Sequence, residues 1–229
     1  MPAKNAVKTY AENSFYHMYN RGVEKRDIYI DKQDHKVFLG YLKQYLSPPP
    51  DPKTLLKDID VQGRTFKGVS RQPNNYHQQI ELTAFCLMPN HFHLLVRQTP
   101  SNAINRLMQS ILTRYTMFFN KKYDRVGSLF QGKYKAVLVG EENYLLHLTR
   151  YIHLNPQNQF PNLTDSYSSY ANYLGLHHAP WVNPQPILDY FNQATLPIVK
   201  QINTYKAFVE EYQGNTQEML GNLTLEEEL

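Results

Sequence analysis

Apolar positions recur along this chain in two rhythms, and their alternation lays out an ordered set of strands and helices. Residues 14–20, SFYHMYN, are rich in aromatic side chains that favour extended backbone, and Arg21-Gly22 closes the segment. From Asp34 to Leu46 the apolar residues Val37, Phe38, Tyr41, Leu42 and Tyr45 recur at spacings of three and four, which predicts a helix. Prolines at 48, 49, 50 and 52 stop it, and the polar, turn-rich residues 51–78 read as a surface excursion. Two strands are predicted at 79–87 and 91–97, paired as a hairpin through Met88-Pro89-Asn90. Ser101 can cap a helix reaching about Asn120, with Ile104, Leu107, Met108, Ile111, Leu112 and Tyr115 as its buried stripe. A turn with Gly127 leads to a strand over 129–139, and 141–154 forms a helix on Leu145, Leu148 and Ile152 that Asn155-Pro156 ends. Strand, helix, strand, strand, helix, strand, helix is the order of an α+β fold, an antiparallel sheet with flanking helices in a ferredoxin-like arrangement. Short apolar pieces at 186–191 and 198–212 add a small helical extension. We therefore divide the chain into a domain over 1–160 and a C-terminal extension over 161–229.

Composition sharpens this picture. With 41% hydrophobic and 13% aromatic residues, 229 residues can bury one core and a small appended unit. The single cysteine, Cys86, excludes an intramolecular disulfide framework and a multi-cysteine zinc site, and its apolar surroundings predict simple packing. No apolar run is long enough for a membrane span, and the start MPAKNAVKTYAEN lacks the apolar segment of a signal peptide, so a cytoplasmic protein without a membrane partner is expected. The net charge of +4 hides an asymmetry: residues 207–229 hold six Glu and no Lys or Arg, which leaves 24 basic against 14 acidic residues before them. A body of that charge suits a polyanion. Arg114, Lys121, Lys122, Arg125, Lys133 and Lys135 face only Asp124 within 114–135, with Tyr115, Phe118, Phe119, Tyr123, Phe130 and Tyr134 interleaved. Cations for phosphates and rings for bases fit a single strand, although rings at helical spacing equally serve a core.

Two constellations carry chemistry. On a strand His91 and His93 project to one face with Cα atoms about 6–7 Å apart, a spacing at which two imidazoles chelate one divalent cation or stand as hydrogen-bonded surface groups. On the last helix Tyr151 and Asn155 lie four apart and share a face on the flank of the apolar stripe. A half-buried tyrosine and a helix-ending asparagine is the alternative there.

The combination of MPNHFHLLV around His91 and His93, Asn20-Arg21-Gly22, YTMFFNKKYDRVGSLFQGKYKAVLV at 115–139 and YLLHLTRYIHLNP at 144–156 resembles the REP-associated tyrosine transposases, relatives of the small insertion-sequence transposases of the HUH single-tyrosine class. The likeness runs from Phe15 to Pro156, with an echo in Tyr167-Ser168-Ser169-Tyr170 and Trp181. It implies an HUH nuclease fold in which His91 and His93 are metal ligands, Asn155 holds the third-ligand position and Tyr151 is the nucleophile. It implies Mg²⁺ or Mn²⁺ as cofactor, a 5′-phosphotyrosine intermediate, and single-stranded or hairpin DNA of repetitive palindromic elements as substrate. The setting it implies is a bacterial or archaeal nucleoid, with the protein acting as a monomer or homodimer. Asn20, Arg21, Arg114, Lys121, Lys122, Arg125, Lys133 and Lys135 are the candidate DNA contacts. Tyr115 competes for the nucleophile's role, but it lies on the apolar stripe of its helix and has Phe119, not an amide, four residues on. His147 stands one turn before Tyr151, and His17 and His35 receive no role. A non-catalytic nucleic-acid-binding protein on the same fold, or a replication initiator or relaxase, are the competing functions.

Overall fold

The aromatic, alternating segment Ser14–Arg21 forms strand β1, buried on both faces because it lies inside a sheet. The computed structural model describes residues 10–69, 71–193, 199, 202, 204–212 and 214. Helix α1 (Lys32–Leu46) follows, then an isolated two-stranded ribbon, β2 (Leu56–Val61) and β3 (Arg64–Val69). Strands β4 (Ile80–Met88) and β5 (His91–Gln98), helix α2 (Ala103–Lys122), strand β6 (Lys135–Val139) and helix α3 (Glu142–Leu154) complete the main body. The sheet order is β4-β5-β1-β6 with antiparallel neighbours, which is the ferredoxin-like α+β topology expected from the element order.

Period-two alternation decides which layer each strand residue meets. Tyr16, Met18, Phe92, Leu94 and Val96 pack with Phe38 and Leu42 of α1 and Leu107, Ile111 and Tyr115 of α2. Ala84, Cys86 and Leu95 pack on the other face with Leu145, Leu148 and Ile152 of α3. Each fully buried Leu or Phe contributes about 1.5–3 kcal/mol relative to exposure, so a one-residue slip of β5 would exchange both cores for polar groups. Cys86 is simply packed, as expected.

Several boundaries differ from the sequence expectation. Helix α1 starts earlier because Asp31 and Asp34 form a reciprocal capping box. Lys122, at the end of α2, bonds both carboxylates at 2.7 Å. Helix α2 is not capped by Ser101: Asn102 occupies the N-cap without a side-chain bond, and the buried Gln98 accepts from Ile104 N at 3.2 Å instead. Strand β6 begins at Lys135 rather than 129, since Gly132 takes a left-handed conformation and only Phe130 bridges to Gly22 before it. The polar excursion contains the ribbon β2–β3, exposed along nearly its whole length.

Beyond Asn162 the chain folds onto the main body. Backbone bonds Leu87 N to Tyr167 O, Ser169 N to Phe85 O and Asn183 N to Leu82 O cover the free edge of β4. Helices α4 (Tyr170–Tyr173), α5 (Gln185–Gln193) and α6 (Tyr205–Glu210) follow; the acidic end read at Glu218 and 226–228 lies outside the described residues. The extension grips α3 through polar side chains. Arg150 donates to Phe208 O at 2.7 Å with its guanidinium between the rings of Phe208 and Tyr212, and His147 bonds Arg150 rather than facing Tyr151's partners. His153 joins Tyr205 OH at 2.7 Å to Ser169 Oγ at 2.8 Å.

Burial pushes His153 down to about 3. Its unfolded value lies near 6.5, so the unfolded chain binds more protons between those limits. Its contribution to stability is complete above the unfolded value and is lost as pH falls from about 6.5 toward 3. Wild-type protein is therefore expected to lose about 2 kcal/mol from this group between pH 7 and pH 5. Urea unfolding of wild type and His153→Gln at both pH values checks this; an equal pH dependence in the two would refute it.

Candidate active site

The register of β1 against β5 pairs Tyr19 with His93 and Arg21 with His91, and β6 pairs Lys135 with Tyr19. Directly opposed residues share a face, so these side chains all point to the α3 side of the sheet. Helix α3 presents Tyr151 and Asn155 to that surface one turn apart, with Asn155 N–H donating to Tyr151 O. The Tyr151 ring stands edge-on to His93 at 5.3 Å, and Asn155 shares a side-chain hydrogen bond with His91. The His91 and His93 rings are 4.9 Å apart at 84°. Four residues from two distant segments thus meet at one corner. Tyr151 is 4% exposed, packed beneath the surface rather than waving in solvent.

Hydrogen bonds set which nitrogens carry lone pairs. Asn90 Nδ2 donates to Lys25 O at 3.3 Å, which identifies Asn90 Oδ1 as the acceptor for His91 Nδ1–H at 2.6 Å. The lone pair of His91 is then on Nε2. His93 Nδ1 lies 2.9 Å from Nε2 of His17, whose ring stacks on His93 at 5.1 Å, and His93 Nε2 is buried with no hydrogen-bond partner. Burial pushes His91 down to about 4, with Arg21 acting in the same direction against the bond to Asn155. Burial, His91 and His17 hold His93 well below its ordinary value. Both imidazoles are neutral near pH 7, the state a metal ligand requires. An orphaned buried ring nitrogen, a second imidazole with a free lone pair and an amide fit a divalent cation whose remaining positions go to water or phosphate. Among the described residues no group of three His, Cys, Asp or Glu side chains is placed to hold a metal, so the amide is integral to this donor set.

His17 had no sequence signal. Its period places it on the face of Tyr19 and Arg21, but its meeting with His93 depends on the β1–β5 register. Gly22 has a spatial role: a Cβ there would lie 2.1 Å from Arg26 O, and its N–H donates to Asn90 O at 2.8 Å, tying β1 to the turn before His91.

The candidate DNA contacts separate into groups. Arg21 lies on the site face and donates to Gln131 Oε1 at 2.5 Å; Lys135 lies there too, mostly buried, while Lys121 and Lys133 are exposed. Asn20 is buried and braces its own corner, Oδ1 accepting from Arg21 N and Nδ2 donating to Gly132 O. Lys122 is held by Asp31 and Asp34, and Arg125 by Asn120. Arg114 lies on the outer side of the α1–α2 layer over the Tyr41 ring. Of the interleaved rings, Tyr115, Phe119 and Phe130 belong to the core, so they are not available to stack on bases. Tyr115 donates its hydroxyl to Ile28 O at 2.5 Å in the core on the opposite side of the sheet from Tyr151.

A ferredoxin-like sheet with paired histidines on an inner strand and a tyrosine on the covering helix defines a class of DNA-processing folds by geometry alone. Residues 65–155 match the family described as Transposase IS200 like, a span that holds His91, His93, Tyr151 and Asn155. Over that span the chain is placed with the IS200-like transposases, in agreement with the resemblance in its motifs. Among solved structures it is similar to a REP-associated tyrosine transposase bound to a REP hairpin, at 12% identity and a TM-score of 0.48, covering 77% of this chain and 90% of that one. It is also similar to a putative transposase from Deinococcus radiodurans R1, at 17% identity and a TM-score of 0.36, covering 67% and 95%. No curated protein matches the chain in sequence. No described helix is long and apolar enough to cross a membrane.

Proposed function

We propose that this chain is a metal-dependent endonuclease and strand transferase that cuts and rejoins single-stranded DNA at hairpin-forming repeats through a covalent bond to Tyr151. The observation that carries the reading is the meeting of Tyr151 with His93 and of Asn155 with His91 at one corner, inside the family-matched span. Nε2 of His91, Nε2 of His93 and the Asn155 amide would hold Mg²⁺ or Mn²⁺, which suit mixed nitrogen and oxygen donors with open positions. When bound, the cation polarises the scissile phosphate and offsets its charge.

The phenol oxygen of Tyr151 attacks phosphorus, the bond to the 3′-oxygen breaks, and a 5′-phosphotyrosine and a 3′-hydroxyl result. The phenol's proton passes through solvent to the departing 3′-oxygen. A second 3′-hydroxyl reverses the step, and the bond energy kept in the phosphotyrosine makes ATP unnecessary. Arg21 and Lys135 flank the corner with positive charge for the phosphates on either side. All four central residues belong to one chain, which supports action as a monomer. The nucleoid in the cytoplasm is where such an activity meets its substrate.

The deciding experiment uses labelled single-stranded hairpins with varied flanks and Mg²⁺, followed by denaturing electrophoresis. A metal-dependent protein-DNA adduct is the expected result. Tight binding with no adduct on any hairpin would leave a binding protein and overturn the catalytic reading.

In the same reading His17 positions His93: by accepting from Nδ1–H it keeps the Nε2 lone pair turned to the cation. Losing such an outer partner costs about 10–100-fold in metal affinity. His17→Phe is expected to weaken Mn²⁺ binding by that factor, and His17→Gln, which restores an acceptor, to recover most of it. Equal affinities of wild type, His17→Phe and His17→Gln in a Mn²⁺ titration would remove this role.

A further inference from the structure

We infer that an arginine groove on the outer face of α2 is a second DNA-binding site, which takes the phosphate backbone of a hairpin's duplex stem while the single-stranded flank enters the Tyr151 corner. The inference deepens the proposed function and rests on it for the identity of the nucleic acid. The groove, of about 480 Å³, lies between α2 and residues 71–76 over Tyr45 and Tyr76. Arg71, Arg106 and Arg114 line it, and no carboxylate does. None of the three has an ion-pair partner among the described residues.

Two of these guanidiniums are pre-set for phosphate. Arg106 lies 5.4 Å over the Tyr76 ring, and Arg114 lies 4.1 Å over Tyr41. Stacking orders a planar guanidinium while its edge donors stay available. Their bonds within the protein go to the neutral acceptors Gln79 Oε1 and Gln44 Oε1, so the charges are not cancelled. The groove wall is itself fixed: Tyr76 OH donates to Arg106 O at 2.9 Å, and Asn74 Nδ2 bonds Ser110 Oγ at 3.3 Å. Arg106 and Arg114 are eight residues apart, about 12 Å along the helix axis, which matches three to four phosphates of one duplex strand.

Position argues for a stem rather than the cleaved strand. Helix α2 covers the sheet face opposite α3, and the groove lies by Tyr45 near the end of α1, whereas the Pro89 turn beside His91 contacts Ile28 and Tyr29 just before α1 begins. DNA that reaches both must therefore be extended and stiff over the intervening length, as a base-paired stem is.

The test compares wild type with Arg71→Gln/Arg106→Gln/Arg114→Gln, where Gln keeps much of each side chain's length. Binding of a hairpin with its single-stranded flank, and of the flank alone, is measured across salt concentrations. The triple variant is expected to bind the hairpin at least tenfold more weakly near 0.1 M salt. The slope of log affinity against log salt should fall by about two to three, at roughly 0.9 per phosphate contact. Flank-only binding, Mn²⁺ affinity and the rate of adduct formation at saturating DNA should not change. Should the triple variant fail to fold, Arg71→Gln, which alters only an exposed residue, is expected to lower the slope by about one. An unchanged slope, or an equal loss for the stemless flank, overturns the groove assignment. Wild-type adduct with an unchanged variant slope refutes the groove alone, whereas stem-dependent binding without any adduct refutes the catalytic reading and leaves the groove standing.

Discussion

Tyr151→Phe is expected to abolish the covalent protein-DNA adduct completely while the protein stays folded, binds Mn²⁺ and retains its DNA affinity. The substitution removes one oxygen and leaves the ring that packs edge-on against His93. The fold penalty should therefore be near that of one hydrogen bond, about 0.5–1.5 kcal/mol. Tyr115→Phe is the matched control. It deletes the hydroxyl that donates to Ile28 O and should cost stability of the same order, yet it leaves the adduct intact because Tyr115 lies in the other core. Mass spectrometry of the trapped peptide decides between them: a 5′-phosphate on any tyrosine but 151 ends the assignment.

Removing either imidazole should be as damaging to cleavage by a different route. His91→Ala and His93→Ala are each expected to reduce cleavage to the detection limit and to weaken Mn²⁺ binding strongly, with DNA affinity within a few-fold of wild type. Basic groups supply most of the affinity, while the cation acts on the phosphate in the reaction. The two variants should differ in stability. His93→Ala strips a buried partner from His17, a loss of about 1–3 kcal/mol, whereas His91 lies at the rim against Asn90. Thermal unfolding separates that effect from lost metal binding, and wild-type cleavage by either variant would dissolve the metal-site reading.

Much of this was legible in the amino-acid order because it is local. Three-and-four spacing placed α1, α2 and α3, period two set His91 beside His93, and the i, i+4 rule set Tyr151 beside Asn155. Such patterns report which side chains of one element share a face. They do not report what that face meets. The β1–β5 register brings His17 behind His93, and a capping box on α1 captures Lys122 from the end of α2. Asn20 turns inward to brace Gly132, and the rings among the basic residues of 115–130 divide between core and rim according to helix packing. Gln98 replaces Ser101 in satisfying the start of α2 because a buried amide from β5 lies nearer the exposed N–H of Ile104. Arg71 joins Arg106 and Arg114 in one groove only when the segment after β3 docks on α2 through Tyr76. The sequence alone determined the order of elements and the chemical kinds of residue on each face, since backbone periodicity is a property of neighbours along the chain. Which faces meet, and therefore which charges are spent within the fold and which remain for a phosphate, was decided by tertiary packing, where the partners of a side chain lie far away in sequence.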